Sequence, residues 1–279
     1  MQKHPSPGCT NELRLSFALA ACVLALAACG GGGGDSGGSG GSVQPPAPIL
    51  VNPALALQGF WSGPVTAAPD AATRSSAIVM PDGTSWIVFE NDGAPTAVAR
   101  IQLTASAVNG TDATVTGSGN YYRLGTVTRS TASESGTAST NGTFTGTVAV
   151  AGNAATRFNW VSAAGFTTQS VAADVVGTWN GTGGFGAAQV SWAISSTGAV
   201  SGNSSAGCIY AGTLRPSTGT AVYEVSVVED CSSTGGPVRN MSGIAILAGT
   251  NLGTTRNALR VVFTADAGTT GGLFALSRQ

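Results

Sequence analysis

The side chains that usually carry enzymatic chemistry are nearly absent from this sequence of 279 residues. The only histidine is His4 and the only lysine is Lys3, so neither an imidazole nor a lysine amine follows position 4. Ser–His–Asp and Cys–His catalysis need the imidazole as a base, and Ser–Lys dyads and Schiff bases need the amine. Catalytic zinc sites also normally use histidine ligands. We therefore expect a protein that is not an enzyme, with no catalytic residues, no cofactor and no metal site.

Carboxylates are the acid–base groups that remain. Glu90 and Asp92 lie two residues apart, and Glu229 with Asp230 directly precedes Cys231. A pair of carboxylates is the apparatus of glycoside hydrolysis, and carboxylate oxygens also bind calcium. Both clusters lie where a predicted strand meets turn residues, and the first supplies too few oxygen ligands for a calcium site. We therefore interpret both as solvated loops.

The first 28 residues have the pattern of a secretory signal peptide. Lys3 and Arg14 lie in an initial polar segment, and an apolar run follows from Leu15 to Ala28. A charged segment, an apolar run and small residues at its end direct a chain to export and are then removed. The pattern predicts that residues 1–28 are absent from the mature protein.

The apolar run ends in LAAC at positions 26–29, which resembles the lipobox of bacterial lipoprotein precursors. In those precursors the cysteine is lipidated through its thiol, carries fatty acids such as palmitate, and becomes the mature N-terminus. The resemblance implies that Cys29 anchors the protein to a membrane through lipid. Gly30 follows the cysteine where an aspartate could stand, and this implies sorting to the outer membrane in the cell envelope of a Gram-negative bacterium.

A linker separates the anchor from the folded part of the chain. Residues 29–54 begin with GGGGGDSGGSGGSVQ after the cysteine and continue with PPAP at 45–48. Gly/Ser-rich chains are flexible coils, and about 25 such residues span roughly 25–30 Å. The segment is predicted to hold the folded domains clear of the lipid head groups.

Two cysteines remain once the others are assigned. Cys9 and Cys22 leave with the signal peptide, and Cys29 takes the lipid. Cys208 and Cys231 would then share an oxidising compartment, where an even pair of thiols forms a disulfide. Two thiols without histidine make a poor metal site. Because one begins an apparent strand and the other follows the next, a hairpin would bring them within bonding distance.

Alternating apolar and polar residues run through the rest of the sequence. In one clear case Val190, Trp192 and Ile194 alternate with other residues of a single short stretch. The 41 glycines and the charged fraction of only 9 % favour many short strands with tight turns. A period of two indicates antiparallel sheets with one buried and one wet face. We predict an all-β fold, either two tandem antiparallel up-and-down barrels or a barrel beside a sandwich.

A five-residue motif marks the start of two similar units. GFWSG at 59–63 recurs as GTWNG at 177–181, which is 118 residues later. Each copy opens a region of about eight predicted strands. The sequence therefore predicts a first barrel-like domain at 55–165 and a second, containing the disulfide, at 172–279.

The Gly-x-Trp of each motif is similar to the opening of lipocalin and avidin-type barrels, the calycin group. In lipocalins the tryptophan plugs one barrel end, and an arginine of the last strand packs over it. The resemblance implies two such plugs. Arg157 would cover Trp61 in the first domain, and Arg278 would cover Trp179 in the second.

The second domain also resembles a group of uncharacterised proteobacterial lipoproteins. The similar segments are SAGC at 205–208, YAGT at 210–213, YEVSV at 223–227 and SGIA at 242–245. This resemblance implies no known activity.

In the first domain, Tyr121 and Tyr122 are neighbours in a predicted strand, so they point to opposite faces. One of them is expected to be exposed or to line a barrel mouth.

The charges exclude some partners and leave others open. After residue 28 the chain has ten arginines against twelve aspartates and glutamates, a net charge of −2 without a basic stripe. Nucleic acid is therefore not an expected partner. We predict a non-enzymatic binding or interaction module that contacts a protein or a small apolar ligand; the oligomeric state stays open.

The alternative function is a calycin-like carrier of a small apolar ligand inside one barrel. A carrier needs an interior cavity of roughly 300 Å³ or more. Inward-pointing Trp192, Tyr223 and Phe263 would instead give a packed core.

Overall fold

The structure, a computed structural model, describes residues 57–109, 112–126, 128–139, 141–185, 188–248 and 256–279. Within these residues the alternating segments form sixteen strands. The first eight are β1 (Gly59–Thr66), β2 (Arg74–Val79), β3 (Thr84–Asn91), β4 (Ala94–Asn109), β5 (Asp112–Arg123), β6 (Arg129–Ser139), β7 (Thr143–Val150) and β8 (Thr156–Ala163). The second eight are β9 (Gly177–Gly184), β10 (Ala188–Ile194), β11 (Ala199–Ser204), β12 (Ile209–Pro216), β13 (Val222–Asp230), β14 (Val238–Ala248), β15 (Ala258–Ala265) and β16 (Thr270–Arg278).

Each half of the structure closes on itself as a barrel. Every strand pairs antiparallel with the next, and in both halves the first strand also pairs with the last. β1 lies beside β8 with Trp61 opposite Ser162. β9 lies beside β16 with Trp179 opposite Arg278. Closure pairs all strands in turn and leaves no free sheet edge. The prediction of an all-β fold with two tandem up-and-down barrels is confirmed, and the alternative sandwich does not form.

Inward-facing aromatic rings fill the first barrel. The ring centroid of Phe144 lies 5.0 Å from that of Phe158 and 5.5 Å from that of Trp160. Trp61 meets the same ring at 5.8 Å. These four side chains are at most 5 % exposed. Edge and stacked contacts of this kind add to the free energy gained by burying the rings.

The second barrel is filled in the same way. The ring of Phe274 lies 4.8 Å from that of Trp192 and 5.0 Å from that of Phe263. Tyr210 approaches Phe274 edge-on at 5.8 Å. Three side chains distinguish a filled barrel from an empty one, and all are at most 1 % exposed: Trp192, Tyr223 and Phe263. Both barrels therefore have packed cores.

The hairpin between β6 and β7 shows how sequence sets a turn. Asn141 accepts hydrogen bonds from the backbone N–H of Thr143 at 3.1 Å and from its hydroxyl at 2.7 Å. Gly142 has φ +83°, which favours glycine, and a Cβ there would lie 2.5 Å from the hydroxyl oxygen of Ser162. Both features explain the Asn-Gly pair at this position.

A segment at 164–176 connects the barrels and ends in a 3-10 turn, Ala172–Val175. It is held against the β12–β13 hairpin. The hydroxyl of Ser170 donates to the carbonyl of Val222 at 2.9 Å, and the amide N–H of Gly219 donates to Gln169 Oε1 at 2.7 Å. Within the described part of the chain, no helix combines the length and apolarity needed to cross a bilayer.

Candidate functional site

The two barrels pack against each other through residues on their outer surfaces. β3 is apolar on both faces: Ile87 and Phe89 enter the first barrel, while Trp86 and Val88 point outward and are still at most 7 % exposed. The outward residues join one interface core, made of Ile78, Met80, Trp86, Val88, Val98, Tyr122, Phe166, Val222, Ile244, Val262 and Leu273. The tandem barrels therefore bury a shared apolar surface, with a groove along its margins.

Polar contacts also cross the interface between the barrels. Arg260 Nη1 lies 2.6 Å from Glu90 Oε1 in an ion pair. The hydroxyl of Tyr122 donates to the carbonyl of Gly268 at 2.8 Å. The backbone of Gly271 is packed against the Tyr122 ring, since a Cβ there would lie 2.6 Å from it. A side chain at position 271 would push the barrels apart.

The expectation for the tyrosine pair is therefore half right. Tyr121 and Tyr122 do point to opposite faces, since Tyr121 belongs to the core of the first barrel and Tyr122 to the interface. Neither is exposed, because the second barrel covers the outward one. Burial also raises the pKa of the Tyr122 hydroxyl.

One recess of the groove opens between β2–β4 of the first barrel and β13–β14 of the second. It has a volume of about 480 Å³ and is lined by polar and apolar groups that include Asp82, Trp86, Arg100, Glu224 and Ser242. The guanidinium carbon of Arg100 lies 5.5 Å from the Trp86 ring centroid. Among the described residues Arg100 has no ion-pair partner, so its donors remain available to a ligand.

A second recess lies on the other side of Trp86. It is smaller, about 160 Å³, more enclosed and mainly apolar, and its walls include Phe60, Ile78, Val88 and Ile246. Trp86 thus separates a polar, open section of the groove from an apolar pocket. The sequence held a signal for this arrangement, because the apolar run WIVF at 86–89 is typical of a strand buried on both faces.

The second barrel has the plug that the lipocalin resemblance implied. The indole N–H of Trp179 donates to the carbonyl of Val175 at 2.8 Å. The guanidinium carbon of Arg278 lies 4.7 Å from the Trp179 ring centroid, and the same guanidinium donates to the carbonyl of Asp174. The ring is fully buried and closes this end of the barrel.

In the first barrel the expected arginine contact does not form. The indole N–H of Trp61 donates to the carbonyl of Leu57 at 2.9 Å, as in the other plug. Arg157 lies opposite Thr66, at the far end of β1, and is exposed. The residue opposite Trp61 is Ser162, which occupies the place of Arg278. Positions 157 and 162 differ by five, so their side chains lie on opposite faces of β8, and the Arg157 side chain points outward.

The predicted disulfide is confirmed. Cys208 and Cys231 are bonded, with their Cα atoms 4.1 Å apart. β12 and β13 pair as a hairpin with Ile209 opposite Asp230, so the start of one strand lies beside the end of the other, as the sequence indicated.

The solvated-loop interpretation is wrong for Glu229. This side chain is buried and accepts a hydrogen bond from the hydroxyl of Tyr210 at 2.8 Å. Arg239 Nη1 lies 3.0 Å from its other oxygen, and the Arg239 guanidinium carbon lies 4.4 Å from the Phe185 ring centroid. Glu90 is also not a free loop residue, because Arg260 binds it.

The first barrel has a comparable group at the end opposite its plug. The hydroxyl of Tyr121 donates to Asp70 Oδ2 at 2.8 Å, and Arg123 forms an ion pair with the same carboxylate. Burial raises the pKa of Tyr121 and of Tyr210, and the hydrogen bond to a carboxylate raises each further. Both phenols therefore stay protonated and act as donors.

One buried acid has no such partner. Glu134 points into the first barrel, is 2 % exposed, and neither carboxylate oxygen has a hydrogen-bond partner among the described residues. Burial raises its pKa to about 8. Across Val148, the hydroxyl of Thr156 is also buried without a described partner. Nothing in the sequence indicated that Glu134 is buried, because an acid in a strand of alternating polar residues normally faces water.

The described residues contain one group of metal-ligand types close together. The ligand atoms of Cys208, Glu229 and Cys231 lie within 4.8 Å of one another. The two sulfurs are bonded to each other, whereas a metal needs thiolates. The group is part of the disulfide and not a metal centre. Cys29, the predicted lipidation site, lies outside the described residues.

Comparisons with known proteins give no family assignment. No family model and no curated protein matches the chain. Among solved structures it is similar to Aeromonas veronii immune modulator A, with 10 % identity, a TM-score of 0.31, and coverage of 79 % of this chain and 93 % of that one. It is also similar to a point mutant of the vaccine antigen Transferrin Binding Protein B from Haemophilus parasuis, with 8 % identity, a TM-score of 0.25, and coverage of 76 % and 67 %. Likenesses this low assign no function.

Proposed function

We propose that the protein is a lipid-anchored, non-enzymatic binding module of the cell envelope, held at the outer membrane of a Gram-negative bacterium, and that its binding surface is the groove between the barrels. The packing of the two interiors carries this proposal. Aromatic rings fill the space that an interior ligand would need, whereas the groove offers about 480 Å³ of accessible volume. That volume is within the range of ligand sites.

The chemistry of the groove supports binding. Trp86 supplies apolar area, Arg100 supplies hydrogen-bond donors, and Glu224 and Ser242 supply acceptors from the other barrel. In ligand sites, a small number of polar groups placed around an aromatic residue fixes the orientation of the ligand. The carrier alternative has no comparable support, because the interiors are packed.

The anchor is tested by replacing its attachment atom. Cys29→Ser removes the thiol, so we expect unprocessed precursor or protein released from membranes, measured by fractionation and mass spectrometry of cells. Cys22→Ser, a control within the same apolar run, should leave processing intact. If Cys29→Ser protein fractionates with membranes at the mature size, the lipid anchor is wrong.

The groove is tested by photo-cross-linking in the native host. A photoreactive residue replaces exposed Glu224 in the groove, or exposed Ser201 on the outer face of β11 as the control. We expect a discrete adduct at position 224 that is absent at 201, detected by mass spectrometry. The absence of adducts at 224, or equal adducts at both positions, would contradict the groove as the binding surface.

A further inference from the structure

The apolar pocket beside Trp86 owes its shape to the register of three strands. On the outer face of the first barrel, Phe60 lies opposite Ile78, and Ile78 lies opposite Trp86. The next row on the same face places Ser62, Ser76 and Val88 side by side. The first row consists of large apolar side chains, while two of the three residues in the second are serines. The pocket forms where those short side chains leave space.

The second barrel supplies the opposite wall. Ile246 lies opposite Arg260 in the β14–β15 pair, and Ile244 lies opposite Val262. Ile246, Val262 and Arg260 face the serine row of the first barrel across the pocket. Between these walls lies a partly enclosed volume of about 160 Å³. Closing it would require larger side chains at 62 or 76.

We propose that this pocket binds the aromatic ring of a small molecule that carries one neutral polar substituent. The inference rests on the proposed role of the groove and names the ligand class of one section of it. An engineered cavity of roughly 150 Å³ with apolar walls binds benzene, so a pocket of this size fits a single ring. Phe60 and Trp86 add aromatic walls, against which a ring makes edge or offset contacts.

The rim of the pocket defines the substituent. Arg260 forms an ion pair with Glu90 through Nη1, so its charge is balanced while its other N–H groups remain donors. Arg260 lines the pocket, and its ion pair brings Glu90 to the pocket's edge, with side-chain exposures of 40 % for Arg260 and 15 % for Glu90. A carboxylate on the ligand would be repelled by the carboxylate of Glu90. A hydroxyl accepts from Arg260 and donates to Glu90, so a phenol matches this rim.

The test uses the purified mature protein with its disulfide intact and 4-fluorophenol as the probe, followed by fluorine NMR. Ser76→Leu fills the pocket and should weaken binding by at least about tenfold. Ser133→Leu places the same side chain on an exposed outer position of β6, away from the pocket, and should bind the probe like the wild type.

A second variant keeps the test decisive if Ser76→Leu fails to fold. Ile246→Ala enlarges the pocket and should admit 2-naphthol, which the wild type should bind at least about tenfold more weakly. The proposal is wrong if the wild type shows no saturable binding of 4-fluorophenol, or if Ser76→Leu and Ser133→Leu bind it equally. Cross-linking at position 224 probes the other side of Trp86, so it judges the groove proposal separately.

Discussion

The two barrels share the same strand order and the same polar contacts at both ends. In each, the tryptophan of the repeated motif donates its indole N–H to the carbonyl four residues earlier, at 2.9 Å for Trp61 and 2.8 Å for Trp179. At the opposite end of each barrel, a tyrosine donates to a carboxylate that also binds an arginine. The shared plug and the shared polar group lie at matching ends, which supports an origin by duplication.

The barrels differ in the partners of their buried glutamates, and only the second barrel has a described disulfide. Glu229 of the second barrel forms an ion pair with Arg239 and accepts a hydrogen bond from Tyr210, and a disulfide lies beside it. Glu134 of the first barrel is buried, and its carboxylate oxygens have no described hydrogen-bond partner. An unpaired buried acid avoids the cost of burying charge by keeping its proton. The same architecture therefore tolerates a buried acid in two ways, and the raised pKa of the unpaired Glu134 makes stability depend on pH.

The largest expected effect tests that difference. The folded-state pKa of Glu134 is raised, to about 8, above its ordinary value of 4.5. Its contribution to stability is therefore fully present below about pH 4.5 and is lost as pH rises through about 8. The free energy of unfolding should fall by on the order of 5 kcal/mol across this window. Denaturant unfolding at a series of pH values measures it.

Two variants isolate the carboxyl responsible. Glu134→Gln keeps the shape and removes the proton equilibrium, so most of this fall should disappear. Glu224→Gln removes an exposed acid and should keep the wild-type profile. The same pH profile in Glu134→Gln as in the wild type would show that Glu134 is not the group that titrates.

The next effect concerns the cross-link. Replacing both Cys208 and Cys231 by serine should lower stability by about 3 kcal/mol, because the closed loop of 23 residues no longer restricts the unfolded chain. Hydrogen exchange read by mass spectrometry should show lost protection in β9–β16 before β1–β8. An equal loss of protection in both barrels, or two reactive thiols in the native protein, would contradict a disulfide that stabilises only the second barrel.

A smaller effect compares the two arginines of the lipocalin resemblance. Arg278→Gln should cost about 0.5–2 kcal/mol, since it removes a cation–π contact over Trp179. Arg157→Gln is the matched control and should change stability by less than about 0.5 kcal/mol, as expected for an exposed side chain without such a contact. Denaturant unfolding measures both. An equal loss for the two variants would mean that the register comparison assigns the wrong residues.

The sequence predicted the barrels because period two and a repeated Gly-x-Trp are local signals. It predicted the disulfide because only two cysteines remained in adjacent strands. The prediction that Arg157 covers Trp61 was wrong, because a position in the last strand does not determine which residue lies opposite Trp61 or which face its side chain takes. Arg278 ends β16, whereas Arg157 is the second residue of β8 and faces outward. Strand parity and register, which short strands specify weakly in sequence, decide such contacts.

The groove was harder to predict, since it depends on which outer faces meet. The apolar run at 86–89 could have indicated a strand buried on both faces, but nothing in the sequence identified β13–β16 as the covering surface. Arg260 and Glu90 are 170 residues apart and carry no shared pattern. Such contacts arise from the packing of one barrel on the other, and the structure is needed to find them.

In the proposed function the barrels are packed scaffolds, and ligands bind between them. A crystal structure of the protein under xenon pressure tests this claim directly, because xenon enters dry apolar cavities. We predict xenon in the pocket lined by Phe60, Trp86 and Ile246, and none in either barrel interior. Xenon beside Trp192 and Phe263 inside the second barrel, with none in the pocket, would contradict ligand binding between packed barrels and favour the carrier alternative.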